Sequence, residues 1–187
     1  MMENYPKKTG KKLIRALLLL LSSVLVVTAS ASVLNYLYMQ ASPITAETAK
    51  VQFVLADDSE EAGAFIGTNG TYVSLNSMAG WPNATRVYQA AVGIKNFDSA
   101  SRNITLAFAS WSGDTSQIES ITVIVRDAVG GTQQGNAINV GIGGSSTGKL
   151  SIPADATWVV EWNIKWKAGA LSTNTVSVTL QLLVEGE

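Results

Sequence analysis

Through TWVVEWNIKWK (157–167), apolar and polar positions alternate. Trp158, Val160, Trp162, Ile164 and Trp166 fall on one face, and Thr157, Glu161, Asn163, Lys165 and Lys167 on the other. A period of two sends successive side chains to opposite sides of an extended chain, so the stretch reads as a half-buried antiparallel strand. TVSVTLQLLVE (175–185) repeats the pattern, with Val176, Val178, Leu180, Leu182 and Val184 inward. Weaker strand patterns run over 50–55, 64–67, 71–75, 86–96, 103–109, 118–126, 137–142 and 149–152, bounded by clusters of Gly, Asn, Asp and Ser. Within FIGTNGTYV, Asn69-Gly70 suits the two positive φ angles of a type I′ turn and predicts a hairpin. Nine or ten short strands with regular turn signals predict an all-β fold of two packed antiparallel sheets.

The N-terminal stretch follows another rule. Lys7, Lys8, Lys11, Lys12 and Arg15 precede an apolar run over 17–27, broken only by Ser22 and Ser23, and Ala29 and Ala31 then supply small residues. That order of basic, apolar and small residues is the pattern of a secretory signal peptide, which predicts a leader over 1–31. The competing reading is an uncleaved anchor, because 16–39 is uncharged and long enough to span a bilayer. Asn35, Gln40 and the serines dilute the second half of that tract and favour cleavage. A type IV pilin leader fits less well, since Gly10 is followed by KKLIR rather than directly by the apolar helix.

Cleavage after Ala31 leaves SVLNYLYMQAS, a strand-prone segment with apolar residues on both faces: Val33, Leu34, Tyr36, Leu37, Tyr38 and Met39. Pro43 fixes its own φ, lacks an N–H and separates this segment from the rest, giving a donor strand and linker over 32–43 and a β-sandwich domain over 44–187. A strand apolar on both faces has to be buried between layers. It either folds into its own sandwich or fills a groove in a neighbour, and the second arrangement is head-to-tail and yields a filament.

Composition narrows the chemistry. The chain has no Cys and no His, so disulfides, thiolate nucleophiles, imidazole bases and the usual zinc and copper ligands are excluded. From Ser32 onward there are 8 basic and 13 acidic residues, a net of −5, which makes nucleic acid an unsuitable partner. GGSSTGKL (143–150) comes near the phosphate-binding pattern G-x-x-x-x-G-K-[ST]. Leu150 stands where the Mg²⁺-binding hydroxyl is required, however, and Pro153 denies the helix that would meet the phosphate. DDSEE (57–61) lacks calcium-loop spacing and reads as a solvated acidic loop. Asn69, Asn83 and Asn103 each open an N-x-[ST] acceptor sequence in a turn or at a strand start, as glycosylation requires. The stripe of Trp158, Trp162 and Trp166 would stack on sugars if exposed, but its alternation with Val160 and Ile164 assigns it to the core.

The run SAS-V-L-N-Y-x-Y (30–38), ahead of one acidic, Cys-free all-β domain, resembles the archaeal bundling pilins of hyperthermophiles. Those pilins are similar to the bacterial TasA/camelysin biofilm-fibre subunits. The resemblance implies a jelly-roll β-sandwich and a homopolymer assembled by donor-strand complementation, with Val33, Leu34, Tyr36, Leu37, Tyr38 and Met39 entering the next subunit. It further implies an extracellular filament with neither enzymatic activity nor cofactor, membrane contact only during export, and neighbouring filaments or cell surfaces as further partners. A surface glycoprotein domain anchored by 16–39 is the alternative. A secreted glycoside hydrolase would need two carboxylates facing a cleft.

Overall fold

The computed structural model describes residues 48–185, together with residues 14, 15 and 17–19, which are helical and exposed. The chain divides into two units, Met1–Ala46 and Glu47–Glu187. The expected leader, apart from those five positions, and all of the expected donor strand lie outside the described residues.

The second unit is all-β. Its ten strands are β1 (Val51–Val54), β2 (Ala64–Ile66), β3 (Val73–Leu75), β4 (Thr85–Asn96), β5 (Arg102–Gly113), β6 (Ile118–Arg126), β7 (Ile138–Asn139), β8 (Leu150–Ile152), β9 (Thr157–Trp166) and β10 (Val176–Val184). All strand pairs are antiparallel. They form a five-stranded sheet in the order β1-β4-β9-β6-β7, a three-stranded sheet in the order β10-β5-β8, and the β2-β3 hairpin.

The alternation in β9 explains its central place. Val160, Trp162 and Ile164 are 2%, 8% and 7% exposed, and they join Ile104 and Leu106 of β5 in one core cluster. The two larger sheets therefore bury their apolar faces together, with the tryptophan stripe inside. β4 is buried along most of its length and carries an irregularity: Tyr88 faces Trp162 and Val92 faces Val160, so the intervening stretch of β4 is longer than its partner. A bulge leaves backbone groups without ladder partners. The acidic segment supplies them, through Asp58 and Ser59, to Ala90 and Ala91.

Three expectations are corrected. The acidic segment is more than a solvated loop, because Ser59 and Ala62 are buried, Ser59 bonding to β4 at Ala91, and Glu61 pairs with Arg86. The β2-β3 hairpin forms, but not on a type I′ turn: Gly70 N–H donates to Gly67 C=O at 2.9 Å, and of the pair only Gly70 has a positive φ, +67°. A Cβ at Gly70 would also come within 2.7 Å of Gln52 Oε1, so side-chain clearance as well as φ calls for glycine there. Finally, the strand expected over 137–142 shrinks to Ile138–Asn139, since Gly141 has φ +90° and the chain turns away.

Candidate functional site: an unpaired edge over an apolar groove

β10 is nine residues long and, among the described residues, pairs only with β5. The remaining flank of β5 is covered. β8 pairs with its start, and beyond β8 the chain continues the ladder: Thr147 N–H donates to Leu106 C=O, Leu106 N–H donates to Thr147 Oγ1, and Phe108 N–H donates to Ser145 C=O. This is the role of the GGSSTGKL segment. Thr147 is 1% exposed, and its hydroxyl is an inter-strand bond rather than a phosphate ligand. The short edge strand β1 is partly covered too, its Phe53 N–H donating to Gly70 C=O at 2.7 Å. Among the described residues β10 has no such cover on its free side, and a long uncovered edge is what folded proteins ordinarily avoid.

Beside that edge lies a groove of about 740 Å³. Its floor is the inner face of the five-stranded sheet, including Val160, Trp162, Ile164 and Trp166. One bank is β10, contributing Val176, Val178, Leu180 and Leu182, and the other is β3 with its flanking residues, from Thr71 to Asn76. The inward residues of β10 are only half-buried, whereas those of β9 are almost fully enclosed. On the far face of β10, Ser177, Thr179 and Gln181 are exposed and polar. The gap between β10 and β3 thus has an apolar floor, a row of backbone groups along one bank that no described residue pairs, and a polar outer rim. An extended peptide could satisfy all three at once.

Among the described residues no charged side chain lines the groove. The nearest ion pair in sequence to β10 follows its end, where Glu185 meets Lys149 Nζ at 2.6 Å and the Asn103 side chain at 3.3 Å. The hydrogen bond from Lys149, assisted by Asn103, holds the Glu185 carboxyl below its ordinary range. One polar group on the floor is unusual: Trp162 Nε1 is the only buried side-chain nitrogen or oxygen among the described residues that has no hydrogen-bond partner. Sequence reasoning placed Trp162 in the core and found neither the groove nor this atom. The one local signal was the alternation of β10, which gives a face but not a missing neighbour.

The glycosylation candidates separate. Asn69 and Asn83 are exposed in turns, Asn69 accepting from the Thr71 hydroxyl at 2.7 Å and Asn83 holding a φ of 58°. Asn103 sits within β5, half-buried between β10 and β8, with its amide directed to Glu185. Val33, Leu34, Tyr36, Leu37, Tyr38 and Met39 lie outside the described residues. Among the described residues no three Asp or Glu side chains gather around a point where a metal ion would sit. Neither a comparison with protein-family models nor one with curated proteins finds a match to this chain.

Proposed function

We propose that this protein is the subunit of an extracellular filament, and that the groove between β10 and β3 receives residues 32–42 of the next subunit. The observation that carries the reading is the nine-residue β10 edge, unpaired among the described residues, above an apolar groove. In this reading the order β8-β5-β10, a vacancy, then β3-β2 is the second layer of a jelly-roll sandwich that lacks one strand. A strand of nine residues runs about 30 Å at roughly 3.3 Å per residue, and 32–42 is long enough to follow it. That segment is apolar on both faces and strand-prone. A subunit that gives its own segment forward and takes one from behind forms a contact that does not close, so it propagates.

The resemblance to archaeal bundling pilins and the TasA/camelysin subunits favours the same assembly. Residues 1–31 act as the export leader, and Asn69 and Asn83 offer exposed sites for sugar on the filament surface, with Asn103 less accessible. Deleting 32–42 tests the reading. The shortened protein should remain unassembled in sedimentation while the intact mature chain forms fibres, and fibres from the deletion would overturn it.

A further inference from the structure

We propose that Asn83 carries an N-linked sugar whose first pyranose ring packs on the indole of Trp81. This rests on the reading of the chain as exported, because N-linked sugar belongs to secreted chains. Asn83 is the third residue of the turn 81–84. Pro82 supplies the fixed φ of the second position, Asn83 has φ 58°, and Ala84 N–H donates to Trp81 C=O at 3.4 Å. The Asn83 N–H donates to Trp166 C=O at 3.0 Å, which ties the turn to the end of β9. The Asn83 side chain has no hydrogen-bond partner among the described residues, and Thr85, which completes the acceptor sequence, is exposed. The other two acceptors are engaged, Asn69 accepting from the Thr71 hydroxyl and Asn103 donating to Glu185.

Two residues before this acceptor stands an aromatic ring that is both exposed and held in place. Trp81 is 56% exposed, although tryptophan is highly buried on average. The Arg86 guanidinium lies 5.1 Å from its ring centroid and 4.8 Å from that of Tyr88, and Glu61 pairs with the same guanidinium. Tyr88 is fixed in turn, being 1% exposed and accepting from Ala79 N–H at 2.9 Å. A positioned cation thus covers one face of the Trp81 ring, and the exposure falls to the other face and the edge. A ring already held loses little freedom when something stacks on it, and its negative π-face attracts the C–H groups that line one side of a pyranose. Residues two apart have Cα atoms no more than about 7 Å from one another, and the bridge between Trp81 and Ala84 keeps ring and acceptor on one tight turn. A lipid-linked saccharide is the donor. Its anomeric carbon bonds to the Asn83 amide nitrogen, which loses one proton, and the lipid phosphate leaves with the electron pair of the broken bond.

The test compares two forms of the intact mature chain, at a dilution where sedimentation finds it unassembled. One is secreted from a yeast host and trimmed enzymatically to a single N-acetylglucosamine on asparagine; the other is made in bacteria without sugar. Both carry Asn69→Gln, and peptide mass spectrometry verifies that Asn83 is the residue modified. The sugar should raise the melting temperature by about 3 °C, and Trp81→Ser should abolish that increment. Because the increment within each variant is what is read, the loss of the Arg86 contact cancels between the two forms of Trp81→Ser. An equal increment in Trp81→Ser, or none in either variant, overturns the stacking. Should Trp81→Ser fail to fold, NMR of the trimmed form with Trp81 intact decides the matter. The sugar protons must shift upfield of those of the same sugar on an unfolded peptide, through the indole ring current, and unshifted resonances overturn the proposal. In protein purified from its source cells, Asn83 should carry sugar. A bare Asn83 on a chain that has lost residues 1–31 overturns the proposal and leaves export standing, whereas a chain kept in the cytoplasm overturns the export reading itself.

Discussion

Asp58 and Ala90 exchange two hydrogen bonds: the Asp58 N–H donates to the Ala90 carbonyl at 3.0 Å, and the Ala90 N–H donates to Asp58 Oδ2 at 3.0 Å. Ala90 lies in the stretch of β4 between Tyr88 and Val92, where the register against β9 shifts. Asp58 therefore takes the place of the strand partner that the bulge removes, and Ser59 Oγ adds a bond to Ala91 C=O at 2.9 Å.

Replacing that carboxylate leaves a buried backbone donor unsatisfied. Asp58→Ala should lower unfolding free energy by about 1–3 kcal/mol, measured by urea denaturation. Asp57→Ala, at an exposed position of the same loop, should change it by no more than about 0.5 kcal/mol. Equal effects of the two would remove the strand-partner role from Asp58.

Asn96 is fully buried, and its amide nitrogen lies within hydrogen-bond reach of the carbonyls of Ala100, Ile152 and Pro153, while Oδ1 accepts from Asp98 N–H. Asn96→Asp keeps the shape but turns the donor into an acceptor facing three carbonyls. At neutral pH it should destabilise the domain by more than about 3 kcal/mol, and by more than Asn96→Ala. A thermal melt of the two variants side by side checks the order.

These elements mark how far the sequence could be read. β9 and β10 are legible from the period-two alternation of their sequences, although burial alternates only in β10, whereas in β9 Val159 and Glu161 of the expected outer face are buried as well. The β2-β3 hairpin is legible from its Asn-Gly, although the turn closes one step earlier on Gly67. The β4 bulge is not legible, since alanines at 90 and 91 carry no period and their partners come from a loop far back in the chain. The groove is hidden for the same reason. Its banks are β3 and β10, distant in sequence, and a vacancy between strands leaves no mark in either. The apolar 32–42 segment is read from the sequence, whereas the groove proposed to receive it is visible only in the fold.

Acid should loosen the domain chiefly through Glu161 and Asp98, since the third depressed carboxyl, Glu185, is half-exposed beyond the end of β10. Burial opposes ionisation of Glu161, but hydrogen bonds from Arg126 and Asn163 together with the Arg126 charge outweigh it, and its pKa falls below the ordinary 4.5. Asp98 is lowered from 3.8, chiefly by its hydrogen bond from Arg102. A depressed folded-state pKa gives stability that is present above the ordinary value and lost as pH falls through the depressed one. The melting temperature should thus hold between pH 7 and about 5.5 and fall below about 4.5. Glu161→Gln should lower it at pH 7 and flatten the acid limb. A limb as steep as that of wild type would exclude Glu161 as a source.

On the groove wall, Leu180 is half-buried and points toward the vacancy from β10. Leu180→Lys should leave the circular dichroism and melting of the unassembled domain close to wild type, because the long side chain can reach water. It should abolish fibres, because a filled groove would bury that ammonium without a partner. Normal fibres from Leu180→Lys would place the assembly contact elsewhere.

The most direct measurement is a cryo-electron microscopy map of fibres grown from the intact mature chain. The account predicts an extended strand, traceable to residues 32–42 of the adjacent subunit, running between β10 and β3 and hydrogen-bonded along the β10 edge. Fibres in which that space is empty, or is filled by the subunit's own segment, would contradict it.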